Sequence, residues 1–301
     1  MTVSAMTEIS IAGVRVSPDH FIANRRLPSA RTFEVGSPID RSVLGHFAAG
    51  GKTEVDRAVE AAGQAFAGWA ALGPRKRGVY LRRLADLIEQ NVEKLALVET
   101  TNNGSLLEAG RLRVTKRSAH NIRFFAEMAE RLQGVEWETE AANARNRVVY
   151  DPAGVTALIT PWNAPLMLAT WKIGPALAAG NTVVLKPAEW TPITASLLAD
   201  LAQEADLPPG VFNVVQGIGE EAGAALVAHG GVKRISFTGS TDTARLIAAA
   251  AAKNLTPVSF ELGGKSPLIV FADADLIWQC RMRWDSMTMQ GRFAWRARGC
   301  W

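Results

Sequence analysis

Two glycine turns carry the first chemical signal in the chain. Gly217-Ile218-Gly219-Glu220-Glu221-Ala222-Gly223 stands between an apolar, β-branched run and a helical pattern. Phe237-Thr238-Gly239-Ser240 follows the next such run and places two hydroxyls before another helix. Helix starts with free N–H groups suit phosphate. The first turn is one residue longer than the usual dinucleotide fingerprint, and either turn alone could be a plain strand-to-helix link. Gly51-Lys52-Thr53 and Gly264-Lys265-Ser266 end like a phosphate loop, but His46 and Ser259 occupy the positions of the required first glycine. Without that glycine the N–H cradle is not expected. The only thiols are Cys280 and Cys300, too few for a disulfide scaffold and consistent with an intracellular chain.

These residues need elements to position them. The apolar spacing predicts helices over Thr53–Leu72, Arg75–Glu89, Val92–Thr101 and Val114–Leu132, read as packing helices. Residues 1–50 are mixed and turn-rich. Glu136–Thr139 and Arg147–Tyr150 predict a hairpin, either a surface ribbon or a subunit contact. From Gly154 onward strands and helices alternate. Strands are expected at Val155–Thr160, Thr182–Lys186, Val211–Val215, Arg234–Phe237, Pro257–Glu261 and Leu268–Phe271. Helices are expected at Ala164–Ala179, Thr191–Glu204, Gly219–His229 and Asp242–Ala252. Repeated β-α units with short links imply an α/β fold, a twisted parallel sheet with helices on both faces. Such sheets bind ligands at the carboxyl ends of their strands.

Composition narrows the class further. The 301 residues are 48% hydrophobic, enough for a sizeable core, and the formal charge is only +4. Residues 277–301 hold five arginines against Asp285, so they account for that whole excess. Nothing in the charge argues for nucleic acid. No apolar stretch approaches the roughly 18 residues that span a bilayer, and residues 1–10 do not read as a signal peptide. A soluble cytoplasmic protein is expected.

Three further segments occur in order at predicted strand ends: Thr160-Pro161-Trp162-Asn163, Leu185-Lys186-Pro187-Ala188-Glu189 and Phe260-Glu261-Leu262-Gly263-Gly264-Lys265-Ser266-Pro267. With the two glycine turns, this set resembles the aldehyde dehydrogenase superfamily. The resemblance covers about Asp40 to Leu276 and is dense from Val148. One departure is Ala244, where the family often has glycine, and a helix tolerates alanine there. The resemblance implies a Rossmann-like nucleotide-binding domain over 1–133 and 153–264, an oligomerisation hairpin over 134–152, and a catalytic domain beginning at 265–276. It implies NAD as cofactor, with NADP the alternative, a small-molecule aldehyde as substrate, and a homo-oligomer.

Residue by residue, the resemblance assigns roles that each compete with a plainer one. Asn163 would direct its amide at the oxyanion formed on the aldehyde, a contribution of roughly 3 to 4 kcal/mol in comparable sites; its alternative is an N-cap for the next helix. Lys186 and Glu189 would hold the adenosine ribose hydroxyls, where a carboxylate disfavours a 2′-phosphate; their alternative is a surface ion pair. Gly219, Phe237, Thr238, Gly239 and Ser240 would surround the pyrophosphate and cofactor. Trp162 and Leu262 would line the same cleft, with an ordinary core aromatic as the alternative for Trp162. Glu261 would be the general base that activates water, burial lifting its carboxyl toward the working range; its alternative is a buried structural acid. Lys172 would assist proton movement near Glu261. The stretch Ala157–Ala179 is most similar to members acting on semialdehydes from aromatic-ring breakdown.

The family mechanism needs a cysteine thiolate within an Asn-x-Gly-Gln-x-Cys pattern, some tens of residues after the glutamate. Neither Cys280 nor Cys300 stands in that pattern. Residues 277–301 also change character, holding four of the nine tryptophans and three of the seven methionines. Regrouping their codons by one base forces alanine at Trp278/Gln279, glycine at Trp284/Asp285, aspartate at Met287/Thr288 and alanine at Met289/Gln290. It allows cysteine or arginine at Phe293/Ala294 and forces leucine at Cys300/Trp301. With permitted codons elsewhere the shifted frame reads DLAVPDAVGQYDNAGQVCLAGTRLL, which contains the motif. A one-base frameshift near Leu276 and Ile277 is therefore expected. It leaves an inactive chain, or alternatively a non-catalytic NAD-binding or subunit-interaction module. A fragment of this kind could also aggregate through uncovered apolar surface.

Overall fold

The computed structural model describes residues 8–111, 116–264, 269 and 271–275. Half of the segment 265–276 lies outside the described residues, including Leu268 and Val270 of the strand expected at Leu268–Phe271, as does the tail 277–301 with both cysteines.

Six short strands open the chain: β1 (Ile9–Ile11), β2 (Val14–Val16), β3 (His20–Ile22), β4 (Arg25–Leu27), β5 (Thr32–Gly36) and β6 (Val43–Ala48). Helices α1 (Lys52–Ala71), α2 (Gly73–Gln90), α3 (Val92–Asn103), the single turn α4 (Leu107–Ala109) and α5 (Lys116–Arg131) follow. A hairpin, β7 (Glu136–Thr139) and β8 (Ala144–Arg147), leads into the alternating region. There the order is β9 (Val155–Ile159), α6 (Pro165–Ala178), β10 (Thr182–Lys186), α7 (Ile193–Glu204), β11 (Phe212–Val214), α8 (Ala224–Ala228), β12 (Val232–Gly239), α9 (Thr241–Ala252) and β13 (Val258–Leu262).

The central sheet has the order β13-β12-β9-β10-β11-β3-β4. The β13-to-β11 portion is parallel, and β3 and β4 join it antiparallel. The chain lays β9, β10 and β11 outward in one direction. It then crosses back over β9 to place β12 and β13 on the other side. That reversal opens a crevice at the carboxyl ends of β9 and β12. Strand alternation feeds both faces. Val183, Leu185 and Leu158 pack into a core with α2, α5, α6 and α7. Val184, Ala157, Ile159 and Ile235 pack into a second core with α1, α8 and α9. Strands buried on both faces explain the near-continuous apolar runs.

The architecture is the expected α/β sheet, with three local departures. The turn-rich N-terminal segment contains strands, two of which extend the sheet. They are three residues long, too short to show alternation, and β3 turns into β4 through Ala23 and Asn24 at φ 51 and 58. Asn213 fastens that turn by accepting the Ala23 N–H at 3.0 Å. The hairpin's second strand is Ala144–Arg147 rather than Arg147–Tyr150, because Asn143 turns the chain at φ 45 and Thr139 pairs with Ala144. The helix expected at Gly219–His229 begins as a wide π turn over Gly219–Gly223 and becomes α-helical only at Ala224.

Candidate active site

The expected site residues gather at the crevice. The loop after β9 carries Trp162 and Asn163, β10 ends on Lys186, β12 ends on Gly239, and β13 ends on Leu262. Register fixes their neighbours: Phe237 lies beside Ile159, Thr238 beside Glu261, and Gly239 beside Leu262.

Lys186 is almost fully buried, and its Nζ meets Glu189 Oε2 at 3.0 Å. The Lys186 side chain is 3% exposed and that of Glu189 30%, so this is not a surface pair. Burial holds the ammonium below its usual pKa, opposed by Glu189 and Glu220. The side chain runs beneath the π turn, its Cδ 3.8 Å from where a Cβ on Gly223 would lie. Above it, a Cβ on Gly219 would meet nothing within 4 Å. Gly217 is different. It adopts φ +144, and an added Cβ would sit 2.9 Å from the Gly50 carbonyl oxygen. Only glycine suits that approach.

Ser240 caps α9, its Oγ accepting the Thr243 N–H at 3.1 Å. The backbone N–H groups of the first helical turn have no intrahelical partners. A Cβ on Gly239 would fall 2.4 Å from the Phe237 ring. That ring is buried edge-on against Phe260 at 6.2 Å.

Lys172 reaches in from α6. It is buried, and its Nζ donates to Ser236 Oγ at 2.8 Å. Burial lowers its pKa to about 8, opposed by the charge of Glu261. Glu261 itself is exposed. The burial expected around its carboxyl is not supplied by the described residues, because it sits near the end of β13, the edge strand of the sheet among the described residues.

Asn163 is half-buried, and it does not cap α6. The cap position is Ala164, and no side chain caps that helix end locally. Asn163 Oδ1 is buried without a hydrogen-bond partner among the described residues. Its carbonyl oxygen accepts from Asn103 Nδ2 at 3.4 Å. Trp162 is half-buried and faces Trp190 at 6.4 Å, so it is a cleft residue and not a core aromatic. A cleft of about 410 Å³ opens beside these two indoles, lined also by Asn102, Asn103 and the β5 end. It contains none of Asn163, Lys172, Lys186 or Glu261. Lys186 and Glu261 stand instead at or near the ends of β10 and β13, and Asn163 in the loop after β9.

Sequence reasoning missed the residues that fasten this loop. Glu99, fully buried in α3, accepts the Leu166 N–H at 3.1 Å. Asn102 Nδ2 donates to the Trp190 carbonyl at 2.9 Å. The signal was present: Leu95, Val98, Glu99 and Asn102 follow the i, i+3, i+4, i+7 spacing of one helix face, so an acid lay on the apolar stripe.

The aldehyde dehydrogenase family profile matches residues 26–291. The chain belongs to the aldehyde dehydrogenase family. The match begins earlier and ends later than the stretch from Asp40 to Leu276 legible by eye. Among its relatives, this aldehyde dehydrogenase chain is 42% identical over 258 residues to 2-aminomuconic semialdehyde dehydrogenase of Bos taurus, covering 86% of the chain and 53% of the relative. It is 43% identical to 5-carboxymethyl-2-hydroxymuconate semialdehyde dehydrogenase of Escherichia coli, covering 86% and 54%. The solved structure of PnpE in complex with nicotinamide adenine dinucleotide superposes with a TM-score of 0.89 at 42% identity, covering 92% of this chain and 57% of that one; PnpE comes from Pseudomonas sp. WBC-3. The chain thus spans about half the length of the curated relatives it matches. Among the described residues no helix is long and apolar enough to cross a membrane.

Proposed function

We propose that this chain carries the NAD-binding half of an aldehyde dehydrogenase that oxidises an aldehyde to a carboxylic acid through a cysteine thioester. One observation carries the reading: Asn163, Lys186, Ser240 and Glu261 come from four separate segments to the crevice where the strand order reverses. The residues fit a dinucleotide. There is open space over Gly219, a helix start at Ser240 for phosphate, and a buried Lys186 with Glu189 for ribose hydroxyls. Glu189 favours NAD over NADP, since a carboxylate there repels a 2′-phosphate. NAD, when bound, accepts the hydride. Asn163 donates its amide to the oxyanion as the thiolate adds to the aldehyde carbonyl. Glu261 takes a proton from the water that cleaves the thioester, and Lys172, anchored on Ser236, adjusts the charge beside it. Semialdehydes from aromatic-ring breakdown are the favoured substrates, in keeping with the two relatives so named.

The domain reading follows the same lines: nucleotide binding by 1–133 and 153–264, subunit contact by the hairpin within 134–152, and a catalytic domain begun at 265–276. The hairpin's exposed Trp137 and the exposed Val149 and Tyr150 after it support a role in homo-oligomers. The expected compartment is the cytoplasm.

A second reading rests on the cysteines. Neither stands in the nucleophile pattern, and a one-base shift near Leu276 and Ile277 allows that pattern when permitted codons are chosen. We therefore expect this chain to bind NADH without turning over aldehyde. The family match continues to residue 291, inside the segment read as out of frame, so the nucleotide sequence across Asp275 to Trp301 is the direct test. If no one-base change restores the motif, the frameshift reading fails. Thiol-dependent aldehyde oxidation by the purified chain would overturn its inactivity. Failure to bind NADH would overturn the cofactor reading.

A further inference from the structure

We propose that Glu99 is a positioning residue for the site: by accepting the Leu166 N–H across the helical layer, it fixes the first turn of α6 and, with Asn103, sets where Trp162 and Asn163 stand. The inference rests on the proposed role of that loop in cofactor and oxyanion binding.

The start of α6 lacks the usual local solution. A cap side chain normally accepts the N–H of the second or third helical residue. Here the cap is Ala164, which has no acceptor, and the first helical residue is Pro165, which has no N–H. Leu166 supplies the first N–H, it is fully buried, and its acceptor is Glu99 Oε2 from a residue 67 positions away. Four residues further along α3, Asn103 donates to the Asn163 carbonyl, while Asn102 beside it holds the Trp190 carbonyl. One face of α3 therefore grips the loops that follow both β9 and β10. Trp162 and Trp190 meet between them.

Glu99 is poorly suited to stabilise the fold for its own sake. It is wholly buried, its other oxygen, Oε1, has no hydrogen-bond partner among the described residues, and no cation pairs with it there. Burial pushes its pKa up to about 8, favouring the neutral acid. An apolar side chain of similar volume would pack that position about as well. What such a side chain lacks is the acceptor that Leu166 requires. The requirement is therefore local to the loop.

The test compares Glu99→Gln and Glu99→Met in the full chain. Glutamine keeps a neutral acceptor, whereas methionine keeps the volume and removes it. Two readouts apply: amide hydrogen exchange at Leu166 against Leu198 of α7, and NADH affinity by energy transfer from tryptophan. Glu99→Met is expected to speed exchange at Leu166 about tenfold, the equivalent of one lost hydrogen bond, while Leu198 stays at its wild-type rate. NADH binding should weaken about fivefold, because the loop is no longer held in place. Glu99→Gln should match wild type in both. The proposal is overturned if methionine leaves Leu166 unchanged, if Leu198 accelerates equally, or if glutamine behaves like methionine. Should the wild-type chain fail to bind NADH, the cofactor reading falls, and the exchange comparison still decides the role of Glu99.

Discussion

The two sides of the crevice are built to different standards. On the Asn163 side, the loop is held by backbone, by α3 and by a second indole. Thr160 donates to the Lys186 carbonyl at 3.2 Å, Asn103 reaches the Asn163 carbonyl, and Glu99 holds the helix that follows. On the Glu261 side, the carboxylate stands exposed at the end of an edge strand, with Leu262 also exposed beside it. Lys172, a buried group that feels the charge of Glu261, is bonded to Ser236 instead. The difference teaches where preorganisation comes from. An oxyanion donor, the role proposed for Asn163, must be fixed before the reaction to be of use, and the described residues hold the backbone of Asn163 through Asn103. The described residues leave Glu261, proposed as the general base, exposed.

The largest effect that would break this comparison is at the far end of α6. Arg77 is buried, donating through Nε to the Ala178 carbonyl at 3.1 Å and through Nη1 to the Ala70 carbonyl at 2.9 Å. It ties the last turn of α6 to the last turn of α1. Arg77→Ala leaves two carbonyls without that donor and should cost roughly 3 kcal/mol in denaturant unfolding. A loss below about 1 kcal/mol would mean that α6 is not anchored as a rigid carrier of the loop.

Next comes the pH dependence of the same helix. Glu99 has its pKa raised from 4.5 to about 8 on folding. The folded state therefore holds a proton that the unfolded state has lost between those values. The stability from this group is complete below about 4.5 and disappears as pH rises toward 8. The slope should be roughly 1 kcal/mol per pH unit between them. Glu99→Gln should flatten that slope, as read from urea midpoints at pH 5, 6 and 7. A wild-type profile already flat across that window would show that Glu99 is not held in apolar surroundings.

How much of this was legible in the chain depends on where each residue's constraint lies. The parallel sheet was readable because strands buried on both faces must be apolar throughout, and because glycine and proline punctuate their links. The places of Lys186, Ser240 and Glu261 at strand ends were readable from those punctuation points, whereas the roles proposed for them came from the resemblance. The β3–β4 hairpin was hidden because its turn uses Ala23, a residue that seldom adopts φ 51 and carries no turn signal. Glu99 was hidden for another reason. Its partner is a backbone N–H on a different element, and nothing in the type of Leu166 announces that its amide lacks a local cap. The exposure of Glu261 could not be read either, since its local neighbours are apolar and burial is a property of the sheet edge.

Lys186 and Glu261 give the smaller contrasts that sharpen the comparison. Lys186→Met removes a buried ammonium whose pKa is already lowered by burial, leaving Glu189 without its partner. NADH affinity should fall about tenfold, the effect of losing one charge-assisted contact, as measured by fluorescence titration. A titration curve identical to wild type would remove Lys186 from the cofactor site.

Glu261→Gln should have the smallest effect. The side chain is exposed and lies on no hydrogen bond among the described residues, so the substitution should move stability by less than about 0.5 kcal/mol. Its one informative consequence concerns Lys172, whose depressed pKa of about 8 is partly restored by the negative charge of Glu261. Removing that charge should lower the Lys172 pKa further, which a ¹³Cε-lysine NMR titration would record. If the Lys172 pKa does not move, the two groups are not coupled across the β12–β13 edge. The proton-handling role proposed for Lys172 would then lose its physical basis, while the well-fastened Asn163 side of the crevice would be untouched.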